Sequence, residues 1–285
     1  MGKWQMKLSV VVLTLFVFIA IFGPYLHPID PLEVNVNNKF QAPSFQHWMG
    51  TDNLGRDVFS RIILGTRISL GISLIAMLSV TVISFVIGGI AGYMGGWIDY
   101  LIMRICDTIY TFPTLILALC LIAIWGIGWA QMIIALITVI SVYYIRIIRT
   151  LIKQQMTNEY VKVARISGSN AIKIMVKHIL PGIRLPLMTM LTLEVGWTIL
   201  DISTLSFLGF GVPSPYPEWG SMINESKSYI VSHPLLIIFP GMMILIVVMS
   251  LNYVGEHFDS SNKPFKLGSN RYKFKGGNND DIAKS

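Results

Sequence analysis

The chain has 285 residues, a formal net charge of +7, 53% hydrophobic residues and only 13% charged ones. A water-soluble domain carries about 25% charged residues, so the composition excludes an ordinary soluble protein and assigns the chain to a membrane. Its two cysteines, Cys106 and Cys120, lie inside apolar runs with no CxxC or metal-type spacing; they read as small buried hydrophobes, and a disulfide framework is excluded.

In chain order, the first apolar run is Leu8–Leu26, preceded by Lys3 and Lys7. It is long enough to span a bilayer and no small-residue cleavage site follows it. Met6 breaks the myristoylation pattern. Residues 1–26 are therefore predicted to be an uncleaved transmembrane helix. Residues 27–68 form a long extracytoplasmic segment. Within it, Val58, Ile62, Gly65 and Ile68 alternate at helical spacing with Arg61 and Arg67, the pattern of an amphipathic helix lying in the outer interface. A core with five more spans follows over residues 69–254.

The second span, Ser69–Tyr93, ends in Gly88, Gly92 and Gly96, a small-residue face for close helix packing. From Thr108 to Ile145 no residue is charged, too long a stretch for one span. Trp125-Gly126-Ile127-Gly128-Trp129 divides it into a third span, Asp99–Ile124, and a fourth, Gln131–Ile148, joined by a hairpin at the membrane surface. Asp107 is three residues from Arg104, a spacing that predicts an ion pair. The fifth and sixth spans are Leu185–Phe210 and Leu235–Val254. The remainder, 255–285, is a tail whose polar, Lys/Asn/Gly-rich composition from residue 259 onward predicts disorder. Lysines and arginines concentrate on the side of the N-terminus, the 149–184 loop and the tail, so both termini are predicted to be cytoplasmic.

Between the fourth and fifth spans lies "EYVKVARISGSNAIKIMVKHILP", Glu159–Pro181, polar and basic where its flanks are apolar. The helix pattern continues from Arg146 to Arg165. Gly168 suits a left-handed position after a helix, and Ser169 or Asn170 an N-cap. A short amphipathic helix runs from Ala171 to Ile179, and Pro181 stops it. Periodicity leaves two readings open: a helix resting on lipid, or a docking element for a cytoplasmic partner.

Charged groups inside spans are functional candidates. Glu194 and Asp201, seven residues apart, share a helix face with Thr198, and Trp197 lies beside them. This stripe either lines a water-filled pathway or bonds to a neighbouring helix. No HExxH, GxSxG or GxxxxGK[ST] pattern is present. The chain is therefore not read as an enzyme, no cofactor or metal of its own is predicted, and if ATP drives anything here, another subunit binds it.

Four stretches carry a resemblance to a known family. Glu159–Pro181 resembles the EAA loop of permease subunits of ATP-binding-cassette (ABC) importers, with Val163-Ala164 as the small pair, Gly168 four residues on, then Ile179 and Leu180-Pro181; Lys162 stands where the family has an acid. Met49–Leu70 and Leu205–Ile223 resemble segments of the second, C-type permease of peptide and nickel importers, and Asp107–Leu119 resembles their third span. The resemblance implies an all-α membrane protein of six transmembrane helices, the type I importer permease fold, with a cytoplasmic coupling helix in the bacterial inner membrane. It also implies the partners: a paralogous B-type permease, two cytoplasmic ATPases carrying ATP-Mg, an extracytoplasmic substrate-binding protein and lipid, with no nucleic acid. By the same resemblance Val163, Ala164, Gly168, Ser169 and Asn170 would sit nearest the ATPase, and the cargo would be short peptides, or alternatively nickel, cobalt or metal–metallophore chelates.

Overall fold

A computed structural model describes residues 3–26 and 29–261. Among these residues the chain forms ten α-helices: α1 (Lys3–Leu26), α2 (Val58–Met94), α3 (Gly96–Tyr110), α4 (Thr114–Trp125), α5 (Trp129–Met156), α6 (Glu159–Ile166), α7 (Ala171–Ile174), α8 (Leu180–Phe207), α9 (Trp219–Ser226) and α10 (Leu235–Ser261). No strand occurs among them beyond an isolated bridge between Thr51 and Asp57. Five helical runs are long and apolar enough to cross a membrane alone, and α3 with α4 makes a sixth crossing if the bent pair is taken as one span.

That sixth crossing is not the straight helix predicted over Asp99–Ile124. α3 and α4 meet at 90° across Thr111-Phe112-Pro113. Pro113 has no amide to donate and biases Phe112 away from helical backbone, so the break falls at the residue pair where the helix ladder cannot continue. α4, with 12 residues, rises only about 18 Å and cannot cross a hydrocarbon core of about 30 Å by itself. The next turn is as predicted. Gly126, at φ 95°, ends α4, and α5 begins at Trp129, with Trp125 and Trp129 both exposed.

α2 is the central spine, packed on α5, α1 and α8. It absorbs the amphipathic helix predicted to lie in the outer interface. Val58 and Ile62 are buried against Met222 and Leu236, and Arg61 is 1% exposed. The cause is charge pairing that a one-helix pattern does not reveal. Glu225, on α9, accepts from Arg61 Nη2 at 2.9 Å and from Arg56 Nη2 at 2.6 Å, while Arg56 Nε donates to Asp52 at 2.6 Å. Asp57 caps α2 by accepting from the Ser60 amide at 2.7 Å and lies 2.9 Å from His47 Nδ1. Glu218, fully buried, caps α9 through the Ser221 amide and accepts the hydroxyls of Ser69 on α2 and Ser203 on α8 at 3.3 and 3.2 Å. Segments 29–57 and 211–234 are thereby fastened to the start of α2.

The other half of α2 is held by close approach. A Cβ on Gly88 would stand 2.8 Å from the Ile145 carbonyl oxygen, and one on Gly92 3.0 Å from that of Arg149, so α2 and α5 touch backbone to backbone. Gly96, predicted as the third member of this face, instead opens α3 at φ 57° with nothing near it. Cys106 is buried as predicted, but Cys120 is exposed. α10 continues past the predicted end at Val254 to Ser261; residues 262–285, where the disordered tail was predicted, lie outside the described residues.

Two outcomes follow. Gly88→Leu is expected to destabilise the helix bundle by about 1–3 kcal/mol through overpacking, whereas Gly71→Ala, with nothing within 4 Å of its added Cβ, is expected to leave it unchanged; thermal melting of the purified protein in detergent distinguishes them. Glu225→Ala, which leaves buried Arg61 with a 3.6 Å contact to Asp52 and a 3.5 Å hydrogen bond to the Pro215 carbonyl, is expected to cost about 3–5 kcal/mol, seen as loss of the monodisperse species in size-exclusion chromatography.

Candidate functional site

Two places in the fold gather the residues singled out in the sequence. The first follows α5. The helix predicted to run on to Arg165 stops at Met156, where Thr157 caps it, and restarts as α6. Val161 and Ala164 of α6 turn inward onto Ile148 and Ile152 of α5 and onto Ile174, Ile179 and Ile183. Ala164 is thus committed to packing, while Val163 is exposed. Gly168 takes φ 76° in open space, and its amide donates to the Arg165 carbonyl at 3.1 Å. Of the two candidate caps Asn170 serves, its side chain accepting from the Lys173 amide at 2.8 Å. Lys162 pairs with Glu159 at 3.0 Å on the outer surface.

Pro181 does not stop the second helix. α7 passes through a π turn, Met175–Ile179, directly into α8, giving one helical run from Ala171 to Phe207. The wider i→i+5 turn interrupts the α ladder just before Pro181, which takes the second position of α8 without ending the run. The outer surface of this element is unusual for a segment outside the spans: Ile166 is 86% and Ile172 75% exposed, beside Arg165, Lys173 and Lys177. Exposed apolar residues grouped in this way mark an interaction surface. Opposite them, Asp99 accepts from Arg149 at 2.7 and 2.5 Å and from Lys153 at 2.6 Å, tying α3 to the end of α5.

The second place is a cavity of about 640 Å³ where the α3–α4 bend faces α5 and α8. Glu194, Trp197 and Asp201 line it from α8, Tyr143 and Val139 from α5, and Tyr110, Phe112 and Pro113 from the bend. Glu194 and Asp201 are half-buried, and Glu194 interacts with the buried phenol of Tyr144. No basic side chain lines this cavity. Thr198 is the exception among the four residues of the predicted stripe. It is fully buried, and its hydroxyl has no hydrogen-bond partner among the described residues; the short side chain ends inside the packed wall of α8 instead of reaching the chamber. Asp107 pairs with Arg146 at 3.3 Å, not with Arg104, whose Nε donates to the Tyr100 hydroxyl at 3.1 Å.

Sequence reasoning missed Tyr110, Tyr143 and the bend. The signal available was Phe112-Pro113, a dipeptide that disfavours helix in the middle of an apolar run.

Residues 84–263 match the family described as binding-protein-dependent transport system inner membrane component, and residues 7–43 match the N-terminal TM domain of oligopeptide transport permease C. The chain belongs to this permease family. The nickel transport system permease protein NikC of Escherichia coli K12 is 37% identical over 255 residues, covering 90% of this chain and 92% of that protein. The dipeptide transport system permease protein DppC of Alkalihalophilus pseudofirmus is 38% identical over 248 residues, 87% and 82% of the two chains. The glutathione transport system permease protein GsiD of Pectobacterium atrosepticum is 39% identical over 245 residues, 85% and 81%. The chain is a C-type permease of the peptide and nickel branch of ABC importers, an inner-membrane, multi-pass protein, as the four sequence stretches implied.

Gly168→Ala is expected to strain the turn by about 1–2 kcal/mol, and Gly168→Asn by less. Hydrogen exchange should speed up in residues 159–174 and stay unchanged in the middle of α2; uniform change in both would contradict a purely local turn.

Proposed function

We propose that this permease forms one half of a translocation pathway for short peptides delivered by an extracytoplasmic binding protein, and that the chamber facing Glu194, Trp197 and Asp201 is its part of that pathway. The chamber carries the reading: two carboxylates suit a peptide's ammonium end, and the aromatic walls suit side chains of varied shape. Relatives named for dipeptide and glutathione transport support it. The second reading, import of nickel or of a metal chelate, is favoured by the extent of the nickel-permease match, which covers 90% of this chain. Uptake into cells expressing the complete transporter separates the two. Saturable entry of a labelled dipeptide that unlabelled peptides compete away and nickel does not is the expected result; the reverse pattern assigns nickel.

In this reading the other half of the pathway is a B-type permease, and two cytoplasmic ATPases holding ATP-Mg drive the cycle. One of them docks on the surface made by Val163, Gly168, Ser169 and Asn170 together with Ile166 and Ile172, and both termini of this chain face the cytoplasm. The exposed isoleucines beside basic residues, and the buried packing of Val161, Ala164 and Ile174 beneath them, support a stiff docking element. Such an element transmits rigid-body motion to the spans. Gly168→Arg is expected to leave the protein in the membrane and abolish uptake; a purified complex with this change that still couples ATP hydrolysis to uptake refutes the docking role.

A further inference from the structure

The charge of the chamber is one-sided. Glu194 and Asp201 both line it, and no lysine, arginine or histidine does. Arg146 lies in an adjoining cavity beyond Tyr110 and Tyr143, where it is already paired with Asp107 at 3.3 Å and seated 5.0 Å over the Tyr110 ring. Among the described residues neither chamber carboxylate is paired with a cation. The two are seven residues apart on α8, so they stand about 10 Å apart along one helix face. Trp197, 59% exposed, lies between them on the cavity wall. Among the described residues no three metal-ligating side chains are grouped. The pair therefore offers two separate stations for cations, not one chelating site.

We propose that the cargo of this half-pathway is short peptides bearing a basic side chain, with Glu194 and Asp201 each holding one of the peptide's two cationic groups and Trp197 lying beneath the chain between them. The proposal rests on the chamber being a peptide pathway. An extended dipeptide spans about 7 Å, and the flexible four-carbon stem of a lysine carries its ammonium on to the second carboxylate. The indole face favours an ammonium or guanidinium head over a neutral one. The volume of about 640 Å³ falls inside the range of about 300–1,000 Å³ usual for small-ligand sites. An acidic side chain meets like charge in this space, and a neutral one leaves a carboxylate unpaired. Charge selection is then a property of the permease itself, exerted at the translocation step and added to whatever the binding protein selects.

The test uses the complete transporter in proteoliposomes, with enclosed ATP and saturating binding protein, and measures the maximal uptake rates of labelled alanyl-lysine, dialanine and alanyl-glutamate. The unaltered transporter is expected to rank them in that order. Asp201→Asn and Glu194→Gln should each lower alanyl-lysine uptake about tenfold more than dialanine uptake. Asp201→Glu should keep the order, and Asp201→Lys should move alanyl-glutamate ahead of alanyl-lysine. The same binding protein serves every variant, so a change of ratio between variants belongs to the permease. Should Asp201→Lys fail to assemble, the near-isosteric Asn variant decides. Equal rates for alanyl-lysine and dialanine in the unaltered transporter, or a ratio that no substitution moves, overturns the charge selection and leaves the peptide pathway standing. Entry of none of the three peptides overturns the pathway reading itself, and the charge selection with it.

Discussion

The backbone contact between α2 and α5 is the constraint on which the rest of the molecule depends. In lipid, helices gain little from hiding apolar side chains from one another, so close packing and satisfied polar groups must hold them together. Gly88 and Gly92 let α2 and α5 meet without intervening side chains. Both candidate sites adjoin α5: the bend faces it across the cavity, and the 159–181 element continues from its end. The glycine seam therefore fixes the frame against which α3, α4 and α8 are placed. At its opposite end α2 is held by ionic contacts, with Arg61, Arg56, Asp52 and Glu225 mutually paired and largely out of water. A spine secured by packing at one end and by charge at the other is stiff along its length but responds differently to salt and to mutation at its two ends.

The chamber owes its existence to the break at Phe112-Pro113. A straight third span would have lain flat against α5 and filled the space in front of Glu194 and Asp201. Turning α4 through a right angle opens that space and brings the end of α3, with Tyr110, across it. The break at this proline thus places the bend, α5 and α8 around one cavity. The two carboxylates on α8 are half-buried and face this cavity, and charged groups in a spanning helix are expected to face such a space and not lipid.

How much of this was legible in the sequence depends on whether a feature is local. The Trp125–Trp129 turn, the left-handed Gly168 and the Asn170 cap follow from the residues that adopt them, and the structure has them where the residues put them. Features set by partners distant in sequence were not legible. Arg61 looked like a water-facing residue because its partner, Glu225, lies 164 positions away. Thr198 shared a helix face with two carboxylates, but which side chains reach a cavity depends on their length and on the neighbouring helix. Pro181 looked like a stop because the rule for proline assumes an α-helical ladder, and a π turn ahead of it removes that assumption. The third span was misread for the opposite reason: Phe112-Pro113 was a local signal, outweighed by unbroken hydrophobicity around it.

The π turn at Met175–Ile179 has a geometric consequence of its own. A helix advances by about 100° per residue, and a π turn accommodates one residue more than the α ladder does. Ile172 and Glu194 therefore sit on one continuous rod whose two ends are out of phase with what a regular helix of the same length would give. The angular offset between the surface offered by α7 and the carboxylates offered by α8 is set by that single extra residue, much as a keyway sets the angle between two cams on a shaft. Sequence drift that preserved every side chain but removed one residue from this turn would keep both surfaces intact and leave them facing in different directions.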